Sequence, residues 1–192
     1  MTQLKHIRQH NHSLQNHADK TKVITHWLTS TITSKGVFCS LRWHKNTPVT
    51  DTQLIIRLHN TLNKLFQELL GSHWFKLYQR HFNLVVVKEK GKSLTNYHSH
   101  IALGIKSDKF TINDIITAFK NIEKKIKMEV YVKNKGEEVN LLHTYPDNVV
   151  ITPIYDVSGV SEYISKEFET SESDSMSFAS ADTIIFDYQI FN

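Results

Sequence analysis

The chain has 192 residues, 40% of them hydrophobic and 22% charged, with a formal net charge of +4 and an isoelectric point near 9.0. This size favours one domain with a real core, and the mild basicity is compatible with nucleic acid without demanding it. A single cysteine, Cys39, excludes an internal disulfide framework, and no stretch approaches the ~20 apolar residues of a membrane span, which points to a soluble protein of a reducing cytoplasm.

Met1 to Lys20 is polar and rich in His, Gln and Asn, without the apolar centre of a secretory signal. Residues 1–12 read as a disordered, His-rich arm, and the five histidines before residue 30, His6, His10, His12, His17 and His26, lack the short fixed spacing and the cysteines of a structural zinc module. A helix is predicted over about Leu14 to Thr31. Gly36 breaks it, and Val37 to Trp43 reads as the first strand. Asn46-Thr47-Pro48 is a turn. Asp51 to Leu70 is a strong helix, with Leu54, Ile55, Leu58, Leu62, Leu65, Phe66 and Leu69 at helical spacing and Gly71 at its end.

Phe82 to Glu89 is a β-branched strand. Lys90-Gly91-Lys92 supplies a turn, and Asn96 to Ile105 returns as its antiparallel partner. Thr111 caps a further helix, with Asp114 in a capping-box position and Ile112, Ile115, Ile116, Phe119, Ile122 and Ile126 as the apolar stripe. Met128 to Val132 and Asn148 to Ile154 are strands, and Val157 to Glu169 is a short helix. Thr170 to Asp182 is an acidic, Ser-rich linker, and 183–192 is an apolar segment that docks as a strand or helix. Helices interleaved with strands around a central hairpin predict an α+β domain over 13–169, with a ferredoxin-like or RRM-like antiparallel sheet and flanking helices.

The chemistry concentrates in Tyr97-His98-Ser99-His100. Residues two apart in a strand share a face, so His98 and His100 project side by side, as two imidazoles able to chelate a divalent cation. The hairpin brings Glu89 near them and completes a three-ligand site suited to Mg²⁺ or Mn²⁺ acting on a phosphate oxygen. The alternatives are a satisfied surface pair and a solvated Lys88-Glu89-Lys90 turn. Tyr163 and Lys166, three apart on the Val157–Glu169 helix, are surface neighbours there. A phenol can attack phosphorus when its target is polarised, although most Tyr/Lys pairs on helices are an aromatic at a core edge beside a solvated lysine.

The ordered set of an upstream glutamate, His98-Ser99-His100 and Tyr163-Ile164-Ser165-Lys166 resembles the HUH endonuclease superfamily, in particular the single-tyrosine rolling-circle replication initiators of plasmids and small viruses. Glu89-Lys90-Gly91-Lys92-Ser93 is similar to the stretch that supplies the third ligand in parvovirus-type initiators, and Val37 to Trp43 resembles the first-strand motif in position. The resemblance covers about Val37 to Glu169. Two departures are Ser99, where the family usually has an apolar residue, and a first strand poorer in threonine.

The resemblance implies an HUH nuclease fold and nicking of single-stranded or hairpin origin DNA in the host cytoplasm. Tyr163 would be the nucleophile and Lys166 its aid. His98, His100 and Glu89 would hold Mn²⁺ or Mg²⁺. DNA contact is expected from Arg42, Trp43 and Lys45 after the first strand and from Lys88, Lys90 and Lys92 around the hairpin turn, each of which is otherwise an ordinary solvated turn residue. The acidic linker is not expected to touch DNA. No phosphate-binding loop is present, so helicase and polymerase would act in trans, or the chain is a fragment. The competing readings are a single-tyrosine transposase or relaxase with the same chemistry, and a non-catalytic nucleic-acid-binding module on a similar sheet.

Overall fold

The computed structural model describes residues 22, 25–26, 28–43, 51–90, 97–137, 147–169 and 183–184, with backbone alone at 51–52, 88–90, 97, 166–169 and 183–184. The histidine-rich arm, the turn at Asn46-Thr47-Pro48, the 170–182 linker and most of the helix predicted from Leu14 and of the apolar tail lie outside the described residues.

The elements run β1 (Gly36–Arg42), α1 (Asp51–Leu70), α2 (Trp74–His81), β2 (Phe82–Lys90), β3 (Tyr97–Ile105), α3 (Ile112–Ile126), β4 (Glu129–Val132), β5 (Asn148–Pro153) and α4 (Val157–Glu169). Residues 28–31 form a helical turn ahead of β1. The strands make an open mixed sheet in the order β4-β5-β1-β3-β2, extended at the β2 edge by the two-residue strand β6 (Thr183–Ile184). The β1/β3, β1/β5, β2/β3 and β2/β6 pairs are antiparallel and the β4/β5 pair is parallel. An antiparallel sheet was the expectation. β4 makes it mixed because the chain returns through 133–147 before β5, the long connection a parallel pair requires.

Alternation along the strands separates two cores. Val37, Cys39 and Leu41 of β1, Leu84 and Val86 of β2, Ile101 and Leu103 of β3, and Val149 and Ile151 of β5 face α1, α2 and α3 in the larger core. The opposite rows supply Val85, Val87 and Ala102 to a smaller core closed by Leu28, Ile32, Ile154 and Ile164. In α1 the stripe of Leu54, Leu58, Leu62, Leu65 and Phe66 is buried, whereas Ile55, predicted within that stripe, is 38% exposed on its margin. Gly71 ends α1 at φ +80° and donates its N–H to the Gln67 carbonyl at 2.9 Å, the left-handed closure that glycine makes cheaply.

The helix α2 was not anticipated. It is short, it has no side-chain cap at its start, and tertiary contact holds it: Trp74 and Tyr78 lie against Phe66 with ring centroids 5.6 and 5.4 Å away. The predicted box at α3 is complete. The Thr111 hydroxyl accepts from the Asp114 N–H, and the Asp114 carboxylate accepts from the Thr111 N–H at 2.7 Å. At the start of β1, Gly36 crosses Gly104 so closely that a Cβ there would stand 2.4 Å from the Leu103 carbonyl oxygen, a backbone atom that cannot step aside. Among the described residues, no helix is long and apolar enough to cross a membrane.

Candidate active site

The register of the three central strands builds the site. His100 stands opposite Ser40 of β1 and Val87 of β2, and His98 stands opposite Arg42 and Glu89. Directly opposed residues share a face, so Phe38, Ser40, Arg42, Glu89, His98 and His100 occupy one patch of the sheet on the side of the smaller core. Lys88 and Lys90 pair with Ser99 and Tyr97, the alternate rows, which places these two lysines on the other face from the histidines.

His100 is the centre of the patch and is only 2% exposed. Its ring stacks on Phe38 at 5.2 Å with an interplanar angle of 11°, and it meets the His98 ring edge-on at 5.0 Å. Ser40 Oγ lies 3.0 Å from its Nδ1. In the tautomer that donates Nδ1–H to Ser40, the Nε2 lone pair points away from the sheet. The Tyr163 hydroxyl lies on that side, 3.4 Å from Nε2.

Tyr163 reaches the sheet because α4 buries Ser161, Ile164 and Ser165 and leaves Tyr163 at the border, 42% exposed. Its ring packs edge-on to His100 at 5.1 Å and to Phe38 at 5.8 Å. Asp156 starts the helix by accepting the Gly159 N–H at 3.1 Å, and the Ser161 hydroxyl donates to the Val157 carbonyl at 2.8 Å. The other tyrosines whose side chains are described are placed differently. Tyr78 is buried in the larger core. The Tyr131 hydroxyl donates to the Glu129 carboxylate, which raises its pKa and disfavours the phenolate. Tyr155 is 52% exposed, just before α4.

His98, His100 through Nε2, and the residue at position 89 are the positions that could hold a divalent cation. Two imidazoles occupy adjacent positions of one face, and a carboxylate residue is directly across the ladder from one of them. Among the residues whose side chains are described, no cluster of three or more potential ligands forms, and the Glu89 side chain is not one of these. Ser40 gives the histidine an outer partner of the kind that fixes ring orientation at a metal centre. Ser40→Ala is therefore expected to weaken Mn²⁺ binding about 10–100-fold, with recovery in Ser40→Thr, as titration calorimetry would show.

The remaining expected residues separate. Arg42 is exposed on the histidine face, in the row of His98 and Asn148. Trp43, expected as a DNA contact, is 7% exposed, and most of its ring is spent in the larger core. Lys166 lies on α4 one turn beyond Tyr163, with its side chain outside the described residues, and Lys45 and Lys92 lie wholly outside them. Cys39 points into the larger core, where burial pushes its thiol far above its usual pKa and leaves it inert.

Ser99 is fully buried between the histidines, facing the larger core, and its hydroxyl has no hydrogen-bond partner among the described residues. A backbone partner would have offset its burial, and none is made. Ser99→Ala removes that desolvated hydroxyl, and it is expected to raise stability by roughly 1 kcal/mol in urea unfolding.

No protein-family model matches the chain, and no curated protein and no solved structure matches it.

Proposed function

We propose that this protein is an HUH-type endonuclease that nicks and rejoins single-stranded DNA through a 5′-phosphotyrosine at Tyr163, and that it initiates rolling-circle replication. One observation carries the reading: a partly exposed phenol on α4 sits 3.4 Å from Nε2 of a buried histidine, in a patch that also holds His98 and the Glu89 position. The strand order β5-β1-β3-β2, with helical crossovers after β1 and β3, supports it as the order of a ferredoxin-like core, the base of the HUH nuclease fold.

In the proposed step, Tyr163 Oη bonds to the scissile phosphorus and the bond from phosphorus to the 3′ oxygen breaks. The phenolic proton passes, overall, to the departing 3′ hydroxyl. One phosphodiester replaces another, so the step runs in reverse when a 3′ hydroxyl returns, which is the rejoining reaction. A divalent cation at His98, His100 and Glu89 would supply charge stabilisation to the phosphate oxygens. Lys166 and Arg42 would add positive charge along the strand. A helicase and a polymerase would be supplied in trans.

A single-tyrosine transposase or relaxase would use the same groups. A binding module is favoured by one feature, the Phe38–His100–Tyr163 aromatic patch, which suits base stacking. Incubation with a panel of single-stranded hairpins and Mn²⁺ tests the proposal. A covalent protein–DNA adduct mapped to Tyr163 is expected, and its loss in EDTA. Binding without an adduct under both conditions would identify the module instead.

A further inference from the structure

A second cluster of charge lies at the same end of the sheet, on the opposite face. Beyond Arg42, Trp43 turns into a cleft of about 250 Å³ between α1, the end of α3 and the start of β5. Arg57 and Lys64 line it from α1, seven residues apart on one helical face. Lys125 and Lys127 line it from the end of α3, and Asp147 from the residue before β5. Four cations thus meet one carboxylate, in a chain whose whole formal excess is +4.

Neighbouring groups account for part of this charge. Lys64 donates to the Lys125 carbonyl at 2.6 Å, where the negative end of the α3 dipole attracts an ammonium. Lys125 reaches Glu68 at 3.6 Å, and Arg57 reaches Asp147 at 3.6 Å, both too long for tight ion-pair hydrogen bonds. Lys127 is exposed at the left-handed cap of α3. The cleft keeps a cationic surplus beside the Arg42–His98–Asn148 row, one residue along β1 and one residue back from β5.

We infer that this cleft is a second nucleic-acid subsite, which grips the phosphodiester backbone of the strand whose scissile phosphate lies at the histidine patch. The inference rests on the proposed nuclease reading for the identity of that strand. The charge and concavity suit a run of phosphates, and the near-complete burial of Trp43 leaves little ring for base stacking. The strand would leave the histidine face past the exposed Arg42 and bend over the end of the sheet into the cleft.

The test uses the full chain carrying Tyr163→Phe, so that binding is read without cleavage. Affinity for a labelled single-stranded oligonucleotide of about 20 residues is measured across a salt series, before and after Arg57→Gln with Lys127→Gln. Two lost contacts should reduce the slope of log K against log salt by about 1.4. Lys35→Gln with Lys106→Gln, the same charge change at the far end of the sheet, should leave the slope unchanged. Equal slopes for the two double variants, with circular dichroism showing both folded, would overturn the inference. Displacement of the strand by millimolar inorganic phosphate or a mononucleotide at constant ionic strength would also overturn it, in favour of a free-nucleotide pocket. A reduced slope together with no adduct from the unmodified chain would sink the nuclease reading and leave the cleft standing. An adduct with an unchanged slope would do the reverse.

Discussion

Tyr163→Phe is expected to abolish the covalent DNA adduct and to lower nicking about 10⁴-fold or more, the scale on which an enzyme loses its nucleophile. The substitution is sharp because it removes one oxygen and little else. The ring keeps its edge-on contacts with His100 and Phe38, and the buried side of α4, through Ser161, Ile164 and Ser165, is untouched. The lost contact to His100 Nε2 is long and lies on a residue that is 42% exposed, so stability should move by no more than about 0.5 kcal/mol. Loss of chemistry without loss of fold is the signature to look for, by gel shift of the denatured adduct beside a thermal melt. Undiminished nicking by the phenylalanine variant would remove Tyr163 from the mechanism and direct attention to Tyr155, which among the described residues is a second exposed tyrosine beside α4.

His100→Ala should cost about 10²–10³-fold in metal-dependent nicking, comparable with removing one preorganised charge-stabilising group. It should also cost stability, and the two effects need separating. The ring is 2% exposed and carries the stack on Phe38, so truncation opens a cavity worth about 2–4 kcal/mol. His98 is half-buried, and His98→Ala removes the second imidazole at less structural cost. If both variants lose Mn²⁺ affinity in calorimetry and His98→Ala melts near the parent, the loss belongs to the cation site. Unchanged Mn²⁺ affinity in both would make the pair structural.

Much of this arrangement was legible from residue order. Asp51–Leu70 and Val157–Glu169 begin and end where their periodicity and flanking residues place them, because breakers and an apolar stripe agree there. The hairpin from Phe82 followed from β-branched runs around a Gly-Lys turn, and its register then set Glu89 against His98. The rest depended on contacts that sequence does not encode locally. The helix Trp74–His81 is held by aromatic packing on Phe66 and has no capping signal. Ser40 carries no signal of its own in the sequence, and its contact with His100 Nδ1 exists only because β1 pairs with β3 and sets the two opposite each other. Trp43 ended a strand beside Arg42 and looked available, but a strand's last alternation turned it inward. The basic cleft joins residues from α1, α3 and the start of β5, and no linear window contains it.

The phenol and the imidazole that face each other belong to different layers. His100 is fixed in the hydrogen-bonded ladder between β1 and β2, whereas Tyr163 rides on a helix anchored through the smaller core by Val160 and Ile164. In a covalent adduct the DNA would pull on the helix and not on the sheet. Tension along the strand would then be absorbed by the more compliant of the two mounts, shifting the phosphotyrosine relative to the histidines while the ladder keeps its register. The separation of the two groups would become load-sensitive, and a strand under tension would reseal more slowly than a slack one.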